Sequence, residues 1–460
     1  MASISANGVD TAGSAPRYLA LKADLLQELS RLEIGSRFPS QHKIMKRTGL
    51  AYETVSRALR EMVADGYVRR ETGSGTFVCR RPGDVMGRVV AWFMKGEGSG
   101  GALRTIAREF CEANPLVEVD LSSEGRRMES ADLVEATSTS FLYLSSGFAP
   151  VPAELEARAR ELLDPRCLDV VRVEGRLLGL PVMVSPQVLY VNDDLFEAAG
   201  VEAPSGGSWG WDEMMSRARE VHDPEAGRSG WASPRDLQTL APFVWQNGGR
   251  LFDETASRCE LGQDAAAEAV AFWAELEEMS PLSAEEHGSA AKTAFIAGRV
   301  GLFPYGGSME NELGAGGGAK FRWRALELPA AREKATALRF TAIALRRRIE
   351  DEDAAVALTE HLVGPRTQAE LLGRRCLLPC GREVLASGEP VLRPHLDALE
   401  TARPYIIPGT EQACAALAAG LRLLWEKGAD PAETARQLAL IAEGALRNEA
   451  LGVPGVGPEI

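Results

Sequence analysis

Residues 35–78 leave this chain little choice of local fold. They read GSRFPSQHKIMKRTGLAYETVSRALREMVADGYVRRETGSGTFV. Pro39-Ser40 predicts the start of a short basic helix, with the Ser40 hydroxyl placed to cap its free amides. Gly49 ends that helix and turns the chain. The next helix carries Val55, Ala58, Leu59, Met62 and Val63 at i, i+3, i+4, i+7 and i+8, a spacing that predicts one buried stripe. Its other face shows Tyr52, Glu53, Ser56 and Arg60. Asp65-Gly66 closes it, and strands over 67–70 and 76–79 are expected around a tight turn at 71–75. Ahead of this module, residues 18–33 form an amphipathic helix with Tyr18, Leu21, Leu25, Leu29 and Leu32 on one side. Helix, turn, helix and a two-stranded wing is the arrangement that lays a helix in the major groove of duplex DNA.

Charge divides the chain at the same place. Residues 1–82 hold thirteen Lys/Arg against eight Asp/Glu, whereas the rest of a chain of net charge −14 holds 38 against 57. A basic head on an acidic body suits a phosphate-binding module joined to something that need not meet nucleic acid. Lys43, Lys46, Arg47, Arg57, Arg60, Arg69 and Arg70 are the candidate phosphate contacts. Ser40, His42, Tyr52, Glu53, Thr54 and Ser56, with Gly73, Ser74, Gly75 and Thr76 of the wing turn, complete the candidate DNA-binding set.

Pro39-Ser40, Gly49, the Thr54-Val55 to Ala58-Leu59 pattern, Gly66 and Gly73-Ser74-Gly75-Thr76-Phe77-Val78 resemble the N-terminal winged helix of the GntR family of bacterial regulators. The resemblance covers about 65 residues and implies operator binding, as a homodimer on paired half-sites. Two departures stand out. The family usually has Ser at the cap of the recognition helix with Arg beside it, where this chain has Ala51 and Tyr52, and commonly Arg where Ser56 stands. A missing cap costs roughly 1 kcal/mol of local stability, and missing arginines remove the usual guanine contacts.

The remaining length bounds the body. At 460 residues the chain has room for the head and a two-lobed body with its own cores. No run approaches eighteen apolar residues, which argues against a membrane span. The first sixteen residues, rich in Ala, Ser and Gly, read as a disordered tail rather than a signal peptide, so a cytoplasmic location is expected. Seven scattered cysteines, at 79, 111, 167, 259, 376, 380 and 414, lack metal-ligand spacing, and reduced thiols are the default. Residues 17–81 are assigned to the winged helix and 82–87, PGDVMG, to a short linker.

Beyond the linker, a strand at 89–94, a glycine run, a helix at 102–113 and a strand at 117–121 open the body as βαβ. Gly96-x-Gly98-x-x-Gly101 formally satisfies a dinucleotide fingerprint, with Asp120 at the expected distance, but Glu97 inside the loop would repel a pyrophosphate. Ser289-x-x-Lys292 matches a β-lactamase-type motif with no companion motif. Neither supports catalysis, and no cofactor, metal or enzyme activity is expected.

A longer ordered series follows. Val173–Pro181 (VEGRLLGLP) leads into Val188–Phe196 (VLYVNDDLF), Ala199-Gly200-Val201 and Trp211-Asp212-Glu213-Met214, then Phe243–Gly249 (FVWQNGG), read as a strand and turn, and the helices at 266–277 and 294–302. This series, with 339–345 and 369–380 as the return crossover and its loop, is similar to the family 1 extracellular solute-binding proteins, the maltose-binding-like group. The resemblance spans 88 to about 450 and implies a periplasmic-binding-protein-like α/β body of type II over 88–460, with lobe one at 88–187 and 330–388 and lobe two at 188–329 and 389–450. The family inserts a helix between Leu121 and Asp132, where this chain has only a short polar loop at 122–130, so lobe one is expected to be trimmed.

Such a body holds a polar ligand between lobes, where sugars offer C–H faces to aromatic rings and hydroxyls to polar side chains. Candidate ligand contacts are Phe93 and Lys95 after the first strand, Phe141 and Tyr143 after the third, Trp209 and Trp211 on the opening loop of lobe two, Tyr305 and Ser308 in the PYGGSM loop, and Arg339 and Phe340 on the return crossover. Trp92, Trp245 and Trp273 read as core. The combined expectation is a one-component transcriptional regulator with operator DNA and a small ligand, a carbohydrate foremost, as partners. Two alternatives are an enzyme-derived body binding pyridoxal phosphate or a dinucleotide, and a carbohydrate transport protein. After residue 82 only Lys95, Lys292, Lys320, Lys334 and Lys427 could form a Schiff base, and none has a strand-end setting.

Overall fold

The computed structural model describes residues 17–64, 67–71, 74–79, 81, 88–94, 102–115, 117–121, 131–207, 209–283, 286, 288–307, 309–314, 318–349, 351–373, 378–387, 392–426 and 428–450. Its internal contacts separate two compact units, Met1–Gly87 and Arg88–Ile460. The expected tail at 1–16, linker at 82–87 and trimmed loop at 122–130 lie outside the described residues, as do Asp65-Gly66, the glycine run 96–101 and Cys376.

In the first unit, helix Arg17–Leu29 packs Leu21, Leu25 and Leu29 against Val55, Ala58, Leu59 and Met62 of helix Tyr52–Ala64, with Ile44 of helix Gln41–Thr48 between them. Ser40 caps that short helix by accepting from the Lys43 amide, and Gly49 ends it in the left-handed region at φ 70°. Val63 departs from the expected stripe: it is 37% exposed. At i+8 it stands about 80° round the helix from Val55, past the edge of the packed face. The first helix stops at Leu29 rather than 33, because Arg31 and Leu32 bond back three residues to Glu28 and Leu29, a tightening that ends a helix. The wing strands are Val68–Glu71 and Gly75–Val78, one residue off expectation, and a two-residue strand, Arg37–Phe38, pairs on the other side of Gly75–Val78.

In the second unit a ten-stranded sheet is organised around one long strand, Leu180–Asn192, every residue of which is buried. Its first half pairs antiparallel with Thr336–Leu345, and its second half with Val300–Gly306 and Trp323–Leu326. Val117–Asp120, Arg88–Met94 and Leu133–Thr137 extend the sheet beyond Thr336–Leu345, and Ser229–Trp231 extends it beyond Val300–Gly306. A largely apolar sequence is what a strand covered on both faces requires, and its buried Ser185 and Asn192 are hydrogen-bonded. Strand Arg88–Met94, helix Ala102–Ala113 and strand Val117–Asp120 form the expected parallel βαβ unit.

Two expected elements differ. Residues 294–302, read as a helix, divide between the end of helix Ser289–Ile296 and the start of strand Val300–Gly306, with Gly298 at φ 76° turning the chain between them. Of residues 243–249, read as strand and turn, the turn stands at Asn247-Gly248, but 243–246 end helix Leu237–Gln246, which is capped by Asp236, whose carboxylate accepts from the Thr239 amide at 2.8 Å. All ten helix residues are buried, so no polar face marks the 3.6-residue period and the apolar run is ambiguous by pattern.

Candidate functional site

The head presents a polar face around helix Tyr52–Ala64, on which Tyr52, Glu53, Arg57 and Arg60 are exposed while Thr54 and Ser56 are half-buried. His42, Lys43 and Lys46 are exposed on the preceding helix, as are Arg70 and Ser74 on the wing. Thr76 is nearly buried, and Gly73 lies outside the described residues. Gly75 at φ 126° is required by geometry, since a Cβ there would meet the Arg37 guanidinium at 2.9 Å. Not every candidate cation is available. Arg47 forms two bonds to the Glu28 carboxylate, at 2.9 and 2.6 Å, which hold its pKa raised. Arg57 stacks 4.0 Å over the Tyr18 ring and lies 3.7 Å from Glu61. Both lash the first helix to the helix-turn-helix. Arg69 pairs with Glu71 at 3.1 Å along the wing. Lys43, Lys46, Arg60 and Arg70 make no ion pair among the described residues, and Arg37, which sequence reading passed over, is exposed at the wing base.

In the body, the structure gathers a polar cluster around Arg339, from the first half of the return strand Thr336–Leu345. Arg339 donates through Nε to Gln238, lies 3.8 Å from Asp236 and sits 5.2 Å from the centre of the Tyr305 ring. Burial would lower the pKa of this guanidinium, but Asp236, Tyr305 and Tyr405 outweigh it and keep it charged. The Tyr405 hydroxyl lies 3.3 Å from the Thr139 hydroxyl, and burial, with the Asp236 carboxylate adding to it, pushes the phenol up. Thr139 lies in the first turn of helix Ser138–Leu144, Asp236 caps helix Leu237–Gln246 with Gln238 in its first turn, and Tyr305 lies on strand Val300–Gly306. The cluster therefore draws on segments far apart in the chain, contains one cation and one anion, and keeps Arg339 about one-third exposed.

A second layer fixes this geometry. Arg235 adopts φ 56° and forms a buried ion pair with Glu277 at 2.8 Å, while Glu277 also accepts from Trp231 at 2.7 Å and from Ser233. Arg235 further donates to the Ser283 carbonyl at 2.6 Å and lies 4.6 Å over the Trp425 ring. An unusual backbone angle held by so many partners immediately precedes Asp236, which lies 3.8 Å from Arg339.

Of the sequence-stated ligand candidates, the structure brings Tyr305 and Arg339 together. Phe141 and Phe340 are core instead: they pack against each other at 5.6 Å, and Phe141 also against Phe148. Tyr143 is spent on the Glu411 carbonyl. Trp209 is 7% exposed. Trp211 stacks on Phe272 at 4.3 Å and donates to Gln246 at 2.8 Å, so its ring and its N–H already have protein partners. Phe93 is half-buried, and Lys95 and Ser308 lie outside the described residues. Sequence reading missed Asp236, Gln238, Thr139 and Tyr405. Asp236 ahead of an apolar run is an N-cap signal that could have placed a helix start there; nothing local marks Tyr405.

A cavity of about 60 Å³ behind Tyr405, lined by Ser138, Leu338 and Phe340, has room for a few waters and none for a sugar ring. A roomier cavity, about 360 Å³, lies among Leu162, Val363, Leu372 and Val384, with Gln368, Arg382 and Glu383 also in its lining. It has no aromatic ring in its lining.

Comparison with known proteins agrees with both halves. The family model for bacterial extracellular solute-binding proteins matches residues 130–369, and that for bacterial regulatory proteins of the gntR family matches 17–78. An uncharacterized lipoprotein from the oleD 5′ region of Streptomyces antibioticus is 26% identical over 253 residues, 53% of each chain. The HTH-type transcriptional repressor PhnF of Mycolicibacterium smegmatis is 42% identical over 73 residues, which are 15% of this chain and 30% of that one. The chain thus spans about half of the first relative and under a third of the second. Among solved structures, the substrate-binding protein Lmo0181 of Listeria monocytogenes, in complex with cycloalternan, superposes with TM-score 0.67 at 17% identity, over 80% of this chain and 100% of its own. The GacH receptor of Streptomyces glaucescens, solved unliganded and with acarbose, gives 0.66 at 18% identity, over 79% and 100%. At these identities the likeness is one of fold.

Proposed function

This chain belongs to the bacterial extracellular solute-binding protein family and carries a GntR-type winged helix ahead of that domain; from that premise we propose a cytosolic, homodimeric regulator whose operator binding answers to a small polar ligand, a carbohydrate or polyol, bound without turnover. The observation that carries the ligand class is the Arg339 cluster. It offers a guanidinium, a carboxylate, an amide and two phenols, with one positive and one negative charge. A charge-balanced set of donors and acceptors beside a tyrosine ring matches neutral vicinal hydroxyls better than it matches an anion. The cycloalternan and acarbose held by the two structural neighbours favour the same class. The basic head favours a nucleic-acid partner over a role confined to transport.

A thermal-shift screen of mono- and oligosaccharides, polyols and amino acids on the full chain tests this reading. A ligand at a hundred times its dissociation constant should stabilise the body by about 2.7 kcal/mol. Arg339→Ala should remove that shift and leave the unliganded midpoint within a few degrees. The bound compound should be recovered unchanged, and its addition should alter retention of a genomic operator fragment. Stabilisation by amino acids or anions alone, untouched by Arg339→Ala, would reject the cleft as a carbohydrate site.

A further inference from the structure

We propose that Glu53 reads a cytosine in the operator, so that this head selects its site with a carboxylate rather than with arginine. The inference rests on the reading above that the head binds duplex DNA. A recognition helix meets base edges with its N-terminal residues. Here the first turn of helix Tyr52–Ala64 presents Tyr52, 59% exposed, and Glu53, also exposed, and neither side chain has a partner among the described residues. The arginine next along, Arg57, is held over Tyr18 at 4.0 Å, bonds its hydroxyl at 3.3 Å and approaches Glu61. Arg47 on the preceding helix is clamped to Glu28. Arg60 lies two turns along the helix from its start, beyond the N-terminal residues that meet base edges.

A carboxylate carried into a groove walled by phosphates is repelled unless it meets a donor there. The major groove offers two amino donors, cytosine N4 and adenine N6. Beside adenine N6 stands N7, whose lone pair repels a carboxylate; beside cytosine N4 stands only C5–H. Glu53 therefore favours cytosine and penalises guanine and thymine, which present acceptor oxygens at that place. A plain structural role is the competing account, because an acidic side chain in a first turn complements the helix dipole and Ala51 ahead of it has no capping oxygen. That role predicts a uniform change in affinity when the charge is removed, with base preference untouched.

The experiment is selection from a randomised duplex DNA pool by the full chain and by Glu53→Gln and Glu53→Ala, with thermal midpoints recorded for each. The wild type should enrich a motif with a fixed C·G pair in each half-site. Glu53→Gln should move that position toward adenine, which a glutamine can bond at N6 and N7. Glu53→Ala should flatten it, with a loss of discrimination of about tenfold there and the rest of the motif preserved. One common motif from all three proteins would overturn the assignment while leaving the DNA-binding reading intact. A wild-type pool without any enriched motif would overturn both.

Discussion

Trp211 illustrates how a single residue divides between ligand and core. On a polar loop before a helix it has the look of a stacking platform, but Phe272 covers its ring at 4.3 Å and Gln246 takes its N–H. Removing a ring packed in this way costs about 3 kcal/mol. Trp211→Ala should therefore lower the unfolding free energy of the body by that amount and its denaturation midpoint with it, and the ligand-induced shift should persist in the surviving fold. An unchanged midpoint with the shift abolished would return the ring to the ligand. Phe141 and Phe340 were misread for the same reason: proximity in sequence to a strand end fixes an address near the cleft, whereas the direction of a side chain depends on what packs behind it. Cys167 and Cys380 make the point with thiols. Both are fully buried, and burial together with the neighbouring Cys167 pushes the Cys380 thiol up, yet a separation of 213 positions gives no hint that they meet.

At the scale of elements, caps and periodic stripes were legible and continuous apolar runs were not. Ser40 and Gly49 bound their helix as read, because a cap is a local contest between a side chain and four free amides. Helix Leu237–Gln246 escaped, since burial on every side erases its period. Another capped element gives a pH prediction. Asp164 begins helix Pro165–Asp169 and accepts from the Arg166 amide and Nε, both at 2.9 Å. Burial alone would raise its pKa, but the bonds and charge of Arg166 hold the carboxyl below its ordinary value near 3.8. A depressed folded pKa contributes stability that is fully present above about 3.8 and is lost as pH falls through the folded value. Asp164→Asn keeps the cap and removes this titration, so the acid-side fall of the urea midpoint should become shallower in the variant. An identical slope below pH 4 in both proteins would show that Asp164 contributes nothing there.

For the whole molecule, regulation requires that ligand and operator each change the other's affinity by the same factor, typically equivalent to about 1–3 kcal/mol. The linker read at 82–87 is short, and closing two lobes is a bistable motion suited to a switch. Ten flexible Gly/Ser residues inserted after Pro82 should preserve both separate affinities and erase their coupling, measured as the shift in operator dissociation constant on adding ligand. Retained coupling would assign the signal to a body–body interface, with the linker only a tether. What sequence determined by itself was the division into a basic winged helix and an acidic two-lobed body, because caps, turn glycines, periodic stripes and an ordered series of motifs are written in local spacing. What tertiary structure alone decided was the cluster itself. Arg339 and Gln238 meet across 101 residues, and Arg339 joins the polar cluster while its neighbour Phe340 faces the core only because the return strand pairs Arg339 with Ser185 and Phe340 with Val184. Side chains alternate along a strand, so a slip of one residue would exchange the two; register is fixed by the packing of the whole sheet.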